Sequence, residues 1–399
     1  MNIIKVTDGK TMQMFLDTAR IINRNDKTWV CPLDNDIKAV FDPAQNPYHN
    51  HGVVEKWILK DEKNKLLGRI AAFIDYNLAN SYDQPTGGIG FFECFNDKQA
   101  AFILFDTAKG WLREKGMEAM DGPINFGEAD KYWGLLIDGF THPSFDVPYN
   151  QPYYQDLFES YGFQVYYKME GFHADLHTPL PERFSKIAER ILNKPEFSFR
   201  HFTWKNQEKF CKDFIVVYNE AWVTFKKHFE PLEIDYIKSV LKKSKPIIDE
   251  EFFWMAYYNE KPVGIFLVYP DVNQIFKHLN GKMNFINMLR FVYYKKRKTM
   301  TRAKGLLMGI IPQFHNRGIE SAFILNIRKV FDRKPHYDEI EFSWVADFNP
   351  KMKSILISVG CESAKTYATY RYLFDRTKEF IRYPIPQIKT EARSTKVLK

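Results

Sequence analysis

Two hydrophobic periods alternate along the chain, and their order returns once. Residues 2–7 read as a strand, followed by a helix to about Ile22 that Asp8 or Thr11 can cap. Residues 29–48, rich in Pro, Asp and Asn, read as loop with one turn of helix near 37–41. Residues 53–59 and 66–76 alternate as a hairpin across Asp61-Glu62-Lys63-Asn64, and 87–95 supply another strand. Phe102, Ile103, Phe105, Ala108, Trp111 and Leu112 mark a helix over 99–115 that Gly116 ends, and a strand follows at 119–123. The stretch 121–152 is dense in Gly, Pro, Asn, Asp and aromatics, a length and composition that suit a pocket-lining loop, before a helix at 153–161 and a strand at 165–176.

Pro179 and Pro181 punctuate the join to a helix at 182–192. The same order then recurs: a strand at 197–202, helices at 206–222 and 231–243, and a hairpin over 252–269 turning at Asn259-Glu260-Lys261-Pro262. A strand at 306–311, a helix from Ile319 to Phe331, a strand at 339–346 and a helix between Asn349 and Gly360 complete it. The parallel segments Leu157–Phe163 and Ile355–Cys361 support a duplication. Two α/β units are expected, 1–178 and 196–399, joined by a linker helix within 179–195.

Composition narrows the class. The 399 residues are 45% hydrophobic and 27% charged, so a globular protein with substantial cores is expected. The net charge of +8, from 57 basic and 49 acidic residues, favours anionic partners without selecting one. Cys31, Cys94, Cys211 and Cys361 are scattered, which argues against a disulfide framework or a zinc site, and no metal is expected. No signal peptide and no apolar run of about 20 residues is visible, so a cytoplasmic protein is expected. Walker, dinucleotide, His-Glu-x-x-His and Gly-x-Ser-x-Gly motifs are lacking, which removes the common rival enzyme classes.

The strand–loop–helix at 305–325 carries the clearest chemistry. The first turn of a helix leaves N–H groups unpaired at the positive end of its dipole, which suits a diphosphate; Gly318 permits close approach and Arg317 adds charge. A plain strand-to-helix connection reads the same way. The segment resembles the acyl-CoA pyrophosphate loop of the GNAT N-acyltransferase superfamily, whose pattern is Gln/Arg-x-x-Gly-x-Gly/Ala; here it is His315-Asn316-Arg317-Gly318-Ile319-Glu320. Nearly the whole chain resembles a broad bacterial tandem-GNAT family through Gly68-Arg69-Ile70-Ala71-Ala72, Gly90-Phe91-Phe92-Glu93, Asp121-Gly122-Pro123 and Asn150-x-Pro152-Tyr153-Tyr154. Relatives in that family include bacterial ceramide synthases.

The resemblance implies a mixed α+β fold of two tandem GNAT-like domains, each a mixed, mostly antiparallel sheet flanked by helices. It implies acyl transfer from acyl-CoA, acetyl-CoA or an acyl-carrier thioester to a small-molecule or lipid amine. Ile310, Ile311, Gln313, His315, Asn316, Arg317, Gly318, Ile319, Ser321 and Asn349 are the cofactor candidates. Asn349 followed by Pro350 is equally good helix-capping chemistry. Asp347 and Glu93 are candidate bases, and Asn125, Asp130, Tyr132 and Trp133 are candidates for the acceptor site.

The family's acid, a Tyr four residues before the closing glycine, is Leu356 in the second unit and Phe158 in the first. The first unit's loop, Asn96-Asp97-Lys98-Gln99-Ala100-Ala101, has no glycine. These departures keep open the alternative of a catalytically inactive GNAT-fold binding protein. Residues 273–302 interleave aromatics with Lys277, Lys282, Arg290 and Lys295-Lys296-Arg297-Lys298, a pattern suited to peripheral contact with an anionic membrane or to a flap with a solvated basic end. No nucleic-acid partner is expected, since no reader motif accompanies the charge.

Overall fold

The computed structural model describes residues 1–81, 83–127, 133–222 and 232–384. β1 (Asn2–Lys5) leads to α1 (Gly9–Ile22), which starts on a capping box: the Asp8 carboxylate accepts from the Thr11 N–H at 2.7 Å, and the Thr11 hydroxyl accepts from the Asp8 N–H at 3.1 Å. α2 (Asp34–Val40) precedes the hairpin of β2 (Gly52–Lys60) and β3 (Leu66–Asp75). Then come α3 (Tyr76–Ala79), β4 (Thr86–Cys94), α4 (Lys98–Glu114), β5 (Ala119–Gly122), β6 (Leu135–Asp138), α5 (Tyr154–Tyr161) and β7 (Gln164–Asp175). Helix α5 stops at Gly162, whose φ of 108° a side chain would resist.

After α6 (Glu182–Leu192) the second series follows: β8 (Phe197–His201), α7 (Gln207–Trp222), α8 (Ile234–Ser244), β9 (Phe253–Tyr258) and β10 (Lys261–Pro270). α9 (Asn273–Phe276), α10 (Phe285–Lys296), β11 (Arg302–Ile310), α11 (Ile319–Arg333), β12 (Glu339–Ala346), α12 (Pro350–Ser358) and β13 (Glu362–Leu373) complete it. Two strands, β6 and β13, were not expected from the apolar pattern, and β11 begins at Arg302 rather than at Leu306.

Among the described residues thirteen strands form one sheet in the order β1-β2-β3-β4-β5-β13-β7-β12-β11-β10-β9-β8, with β6 also on β13. β4 with β5 and β11 with β12 are parallel; the other pairs are antiparallel. β13 inserts between β5 and β7, with Tyr370 opposite Gly122 and Tyr367 opposite Met169, while β7 carries β12 on its other edge, with Ile340 opposite Ala174. The last strand of each half of the chain therefore lies against the other half.

Two cores flank this seam. In the first, Leu104, Phe105, Ala108 and Leu112 of α4 lie fully buried against Ile70, Ala72 and Ile89. In the second, Ile319, Ala322 and Phe323 of α11 pack with Val263 and Ile265, and α6 lies along α11. The seam itself is ionic. Arg371 of β13 grips Asp121 of β5 at 2.6 and 2.7 Å, and Lys365 of β13 meets Glu341 of β12 at 2.5 Å. Arg302 holds Asp271 at 2.7 and 2.8 Å, and every member of these pairs is buried. Burial pushes the Asp121 and Asp271 carboxyls above the usual range against the pull of their guanidinium partners; Glu341 is equally buried, yet Lys365 and Arg302 together hold it below that range.

Candidate functional site

In each parallel pair the strands run together and then part. β4 and β5 pair from Thr86↔Ala119 to Gly88↔Asp121, and β11 and β12 from Arg302↔Glu339 to Gly305↔Phe342; beyond those points each pair splays. The directions of β5, β13, β7 and β12 alternate, so the two splays open at opposite ends of the sheet. Each parting strand carries a register shift at its mouth: in β4 opposite Arg69/Ala71, with Phe91 at φ 52°, and in β11 opposite Leu267/Val268.

At the first-unit splay, protein groups take the places a ligand would need. The Asp97 carboxylate accepts from the Ala100 N–H at 3.1 Å, setting a negative charge at the start of α4. Tyr154 accepts the Cys94 N–H at 3.0 Å and Tyr153 donates to the Cys94 carbonyl at 2.8 Å, satisfying the strand end. Glu93 lies half-buried beneath them, receiving Tyr154 at 2.8 Å and Asn23 at 3.2 Å, with Arg69 at 3.6 Å. Burial raises the Glu93 carboxyl, and Arg69 and these hydrogen bonds oppose it. The motif residues quoted for the family here brace structure: Asn150 exchanges hydrogen bonds with the Leu136 backbone, and a side chain at Gly90 would stand 2.0 Å from the Ile124 carbonyl.

At the second-unit splay the helix start is open. Pro312–Phe314 form a single tight turn, the His315 Nε2 lies 2.8 Å from the Ile310 carbonyl, and Asn316 and Gly318 take φ of 62° and 90°. Gly318 is the N-cap of α11 with no side-chain cap, so the first-turn N–H groups face the loop without a capping side chain. Ile310, Ile311, Ile319 and Ser321 are buried, whereas Gln313, Asn316 and Arg317 are exposed. Arg317 stands 5.0 Å over the Phe314 ring. Glu320 lies in the same first turn. Ile187 of α6 borders the site, 3.2 Å from where a Cβ on Gly318 would be.

Other candidates gather at that end. The Asp347 Oδ2 accepts from the Lys168 N–H and from Arg382, each at 3.0 Å, while its Oδ1 is buried without a hydrogen-bond partner. Asn349 caps α12, accepting from the Met352 N–H at 3.3 Å. Trp133 donates to the Tyr167 hydroxyl at 2.5 Å, and the Tyr167 ring lies 5.6 Å from Phe348 beside Asp347. Asn125 is buried, and its Oδ1 also has no hydrogen-bond partner. Glu93 lies at the opposite end, and Asp130 and Tyr132 fall outside the described residues. Leu356 is wholly buried. Sequence reasoning missed Tyr153 and Tyr154 as occupants of the first-unit strand end and Ile187 as a neighbour of Gly318; the Tyr pair stood in a quoted motif, but Ile187 carried no signal.

α10 has a second kind of surface. Asn287 and Phe291 face inward, while Phe285, Ile286 and Leu289 are 73%, 61% and 57% exposed, with Met288, Val292 and Tyr293 beside them. From Val272 to Ile319 the sequence holds no Asp or Glu, and Lys282, Arg290 and Lys295–Lys298 flank that apolar face.

No family model matches the chain. It is 25% identical over 379 residues to a bacterial ceramide synthase of Caulobacter vibrioides, covering 93% of this chain and 97% of that protein. It is also 25% identical over 359 residues to protein YghO of Escherichia coli, covering 87% and 88%. Among solved structures it is similar to a tandem GNAT protein from the clavulanic acid biosynthesis pathway, with TM-score 0.52, 9% identity and coverage of 94% and 98%. A GCN5-related glucosamine N-acetyltransferase region in a fungal multi-domain β-N-acetylglucosaminidase gives TM-score 0.53 at 10% identity; this chain spans 38% of that one.

Proposed function

From the premise that the chain is a tandem GNAT-like protein with bacterial relatives, we propose that it is an N-acyltransferase whose second unit holds the thioester. The observation that carries this is the contrast between the two splays. The α4 start is capped by Asp97 and its strand end is tied by Tyr153 and Tyr154, whereas the α11 start carries no side-chain cap beside exposed Arg317. An acyl-CoA would set its diphosphate on the first turn of α11 at Gly318, with Arg317 adding charge, and lay its acyl arm along β11, whose edge toward β12 is unpaired after Gly305.

The acceptor in this reading is an amine, and Asp347 is its base. The Lys168 N–H and Arg382 hold its Oδ2 and so orient the carboxylate, leaving the unpartnered Oδ1 as the oxygen that takes the ammonium proton before the amine attacks the thioester carbonyl. Trp133, linked through Tyr167 to Phe348, brings the first unit's loop to the same end, as a wall of the acceptor site. Leu356 gives no proton, so as the C–S bond breaks the thiolate takes up, through a water, the proton that the attacking nitrogen sheds on becoming the amide.

A lipid amine is the acceptor class we favour, because the exposed apolar face of α10 and its acid-free, basic surroundings suit peripheral contact of residues 273–302 with an anionic membrane. Among the described residues no helix is long and apolar enough to cross a membrane. The test is thermal unfolding with acetyl-CoA and with a long-chain acyl-CoA. Ligand at about 100 times its dissociation constant raises stability by roughly 2.7 kcal/mol, a shift of a few degrees. Arg317→Glu, at an exposed position, should keep the fold and lose most of that shift. Absence of any shift in the wild type, or an undiminished one in the variant, refutes this site.

A further inference from the structure

Two glycines divide β11. Gly305 is the last residue paired with β12, and a Cβ there would stand 2.3 Å from the Phe342 ring. Gly309 lies beyond the parting of the strands, and a Cβ there would stand 2.2 Å from the indole of Trp222 in α7. Gly309 takes no positive φ, so no turn demands it; the position is bare because a ring lies on the strand.

Neighbouring positions of a strand face opposite ways. Gly264, opposite Ile310, would carry a Cβ 3.2 Å from Phe323 of α11, whereas Gly309 faces Trp222, so α11 and α7 cover opposite faces of β11. With a diphosphate at the start of α11 and the arm beyond it passing between the parted strands, the acyl group comes out on the α7 face beside Gly309. Apolar surface meets it there. Leu306, the extra residue where the β11 register shifts, is 39% exposed, and the Trp222 indole covers the strand three residues on.

The indole is held from behind. Tyr218 stacks on it at 4.8 Å and 15°, and Phe214 stacks on Tyr218 at 5.8 Å and 16°, three rings at i, i+4 and i+8 along one stripe of α7. A ring backed in this way is a wall.

We propose that Trp222 sets the length of the acyl group and that the site takes a short one. The first carbons beyond the thioester lie against Leu306 and the bare backbone of Gly309, and a longer chain runs into the indole. The proposal rests on the acyl-CoA reading of the second unit and names the donor class of that same site.

The experiment is titration calorimetry of the full chain with CoA and with acetyl-, butanoyl-, octanoyl- and dodecanoyl-CoA, each below its micellar concentration. It compares the wild type, Trp222→Phe and Trp222→Ala, with circular dichroism to check folding. Each affinity is divided by that of CoA for the same protein, so any change at the diphosphate cancels. A methylene buried on binding raises affinity about fourfold. The wild type should gain up to butanoyl and not beyond, whereas Trp222→Ala should go on gaining and take octanoyl at least about tenfold better than the wild type does. Trp222→Phe, which keeps a ring on Tyr218, should fall between them, and it carries the test alone if the alanine variant unfolds. Profiles that superimpose, or a wild type that gains steadily to dodecanoyl, overturn the proposal and leave the acyl-CoA site standing. A wild type that binds neither CoA nor any thioester overturns the acyl-CoA reading, and this proposal with it.

Discussion

Ile286→Glu with Leu289→Glu on α10 is the perturbation that most directly separates a membrane face from an ordinary surface. Both side chains are more than half exposed, so neither change removes much packing, and the buried contacts of Asn287 and Phe291 remain. Full burial of a Leu or Ile side chain contributes roughly 1.5–3 kcal/mol, and in a bilayer these two would bury the exposed part that remains. The pair is therefore worth about 3 kcal/mol, on the order of a hundredfold in partitioning, before the repulsion of two new carboxylates from anionic lipid. The assay is cosedimentation with vesicles rich in phosphatidylglycerol and with pure phosphatidylcholine, with circular dichroism to check that the variant is folded. The wild type should bind the anionic vesicles, weaken steeply with added salt, and lose binding in the double variant. Equal binding of wild type and variant, or no binding of the wild type, refutes the reasoning.

The other predictions concern the seam. Lys365→Met should cost about 3–5 kcal/mol in urea unfolding, because it leaves the buried Glu341 with Arg302 as its remaining cation; adding Glu341→Leu should recover much of it, and a variant as stable as wild type would show the pair to be idle. His142 accepts from Arg302 at 2.9 Å, and burial, with Arg302 adding to it, pushes its imidazole down to about 4. The unfolded chain takes that proton near pH 6.5, so stability should fall as pH drops from about 6.5 toward 4, and His142→Asn should flatten the slope between pH 6.5 and 5. Chemical denaturation at intervals of pH measures both, and an unchanged slope would contradict the assignment.

The apolar periods were enough to place most elements within a residue or two, because helices such as α4 bury one clean face. What they concealed was the middle of the sheet. β13 carries Lys365, Thr369 and Arg371 inward, each buried and two of them neutralised by partners on other strands, so its inward face reads as polar in sequence. β11 hides its first residues for the same reason, since Arg302 and Lys304 are buried. The 121–152 stretch read as a pocket loop; Pro123, Gly134, Leu135, Pro143 and residues 145–150 do line a pocket, but Trp133 and Asn125 pack elsewhere. The α11 loop was legible from Gly318 because a left-handed residue before a helix demands glycine. The filling of its first-unit counterpart depends on where Tyr153 and Tyr154 project, which no spacing encodes.

The crossing of β7 and β13 at the centre has a mechanical consequence. A two-unit protein joined by one linker can close on a ligand as a hand does, by swinging about its hinge. Here each unit is threaded by the other's last strand, and ion pairs pin that strand on both sides, so the molecule is a single stiff plate with no axis to turn about. The distance between its two ends is fixed. Whatever enters or leaves either end must be admitted by loops and side chains at that end alone.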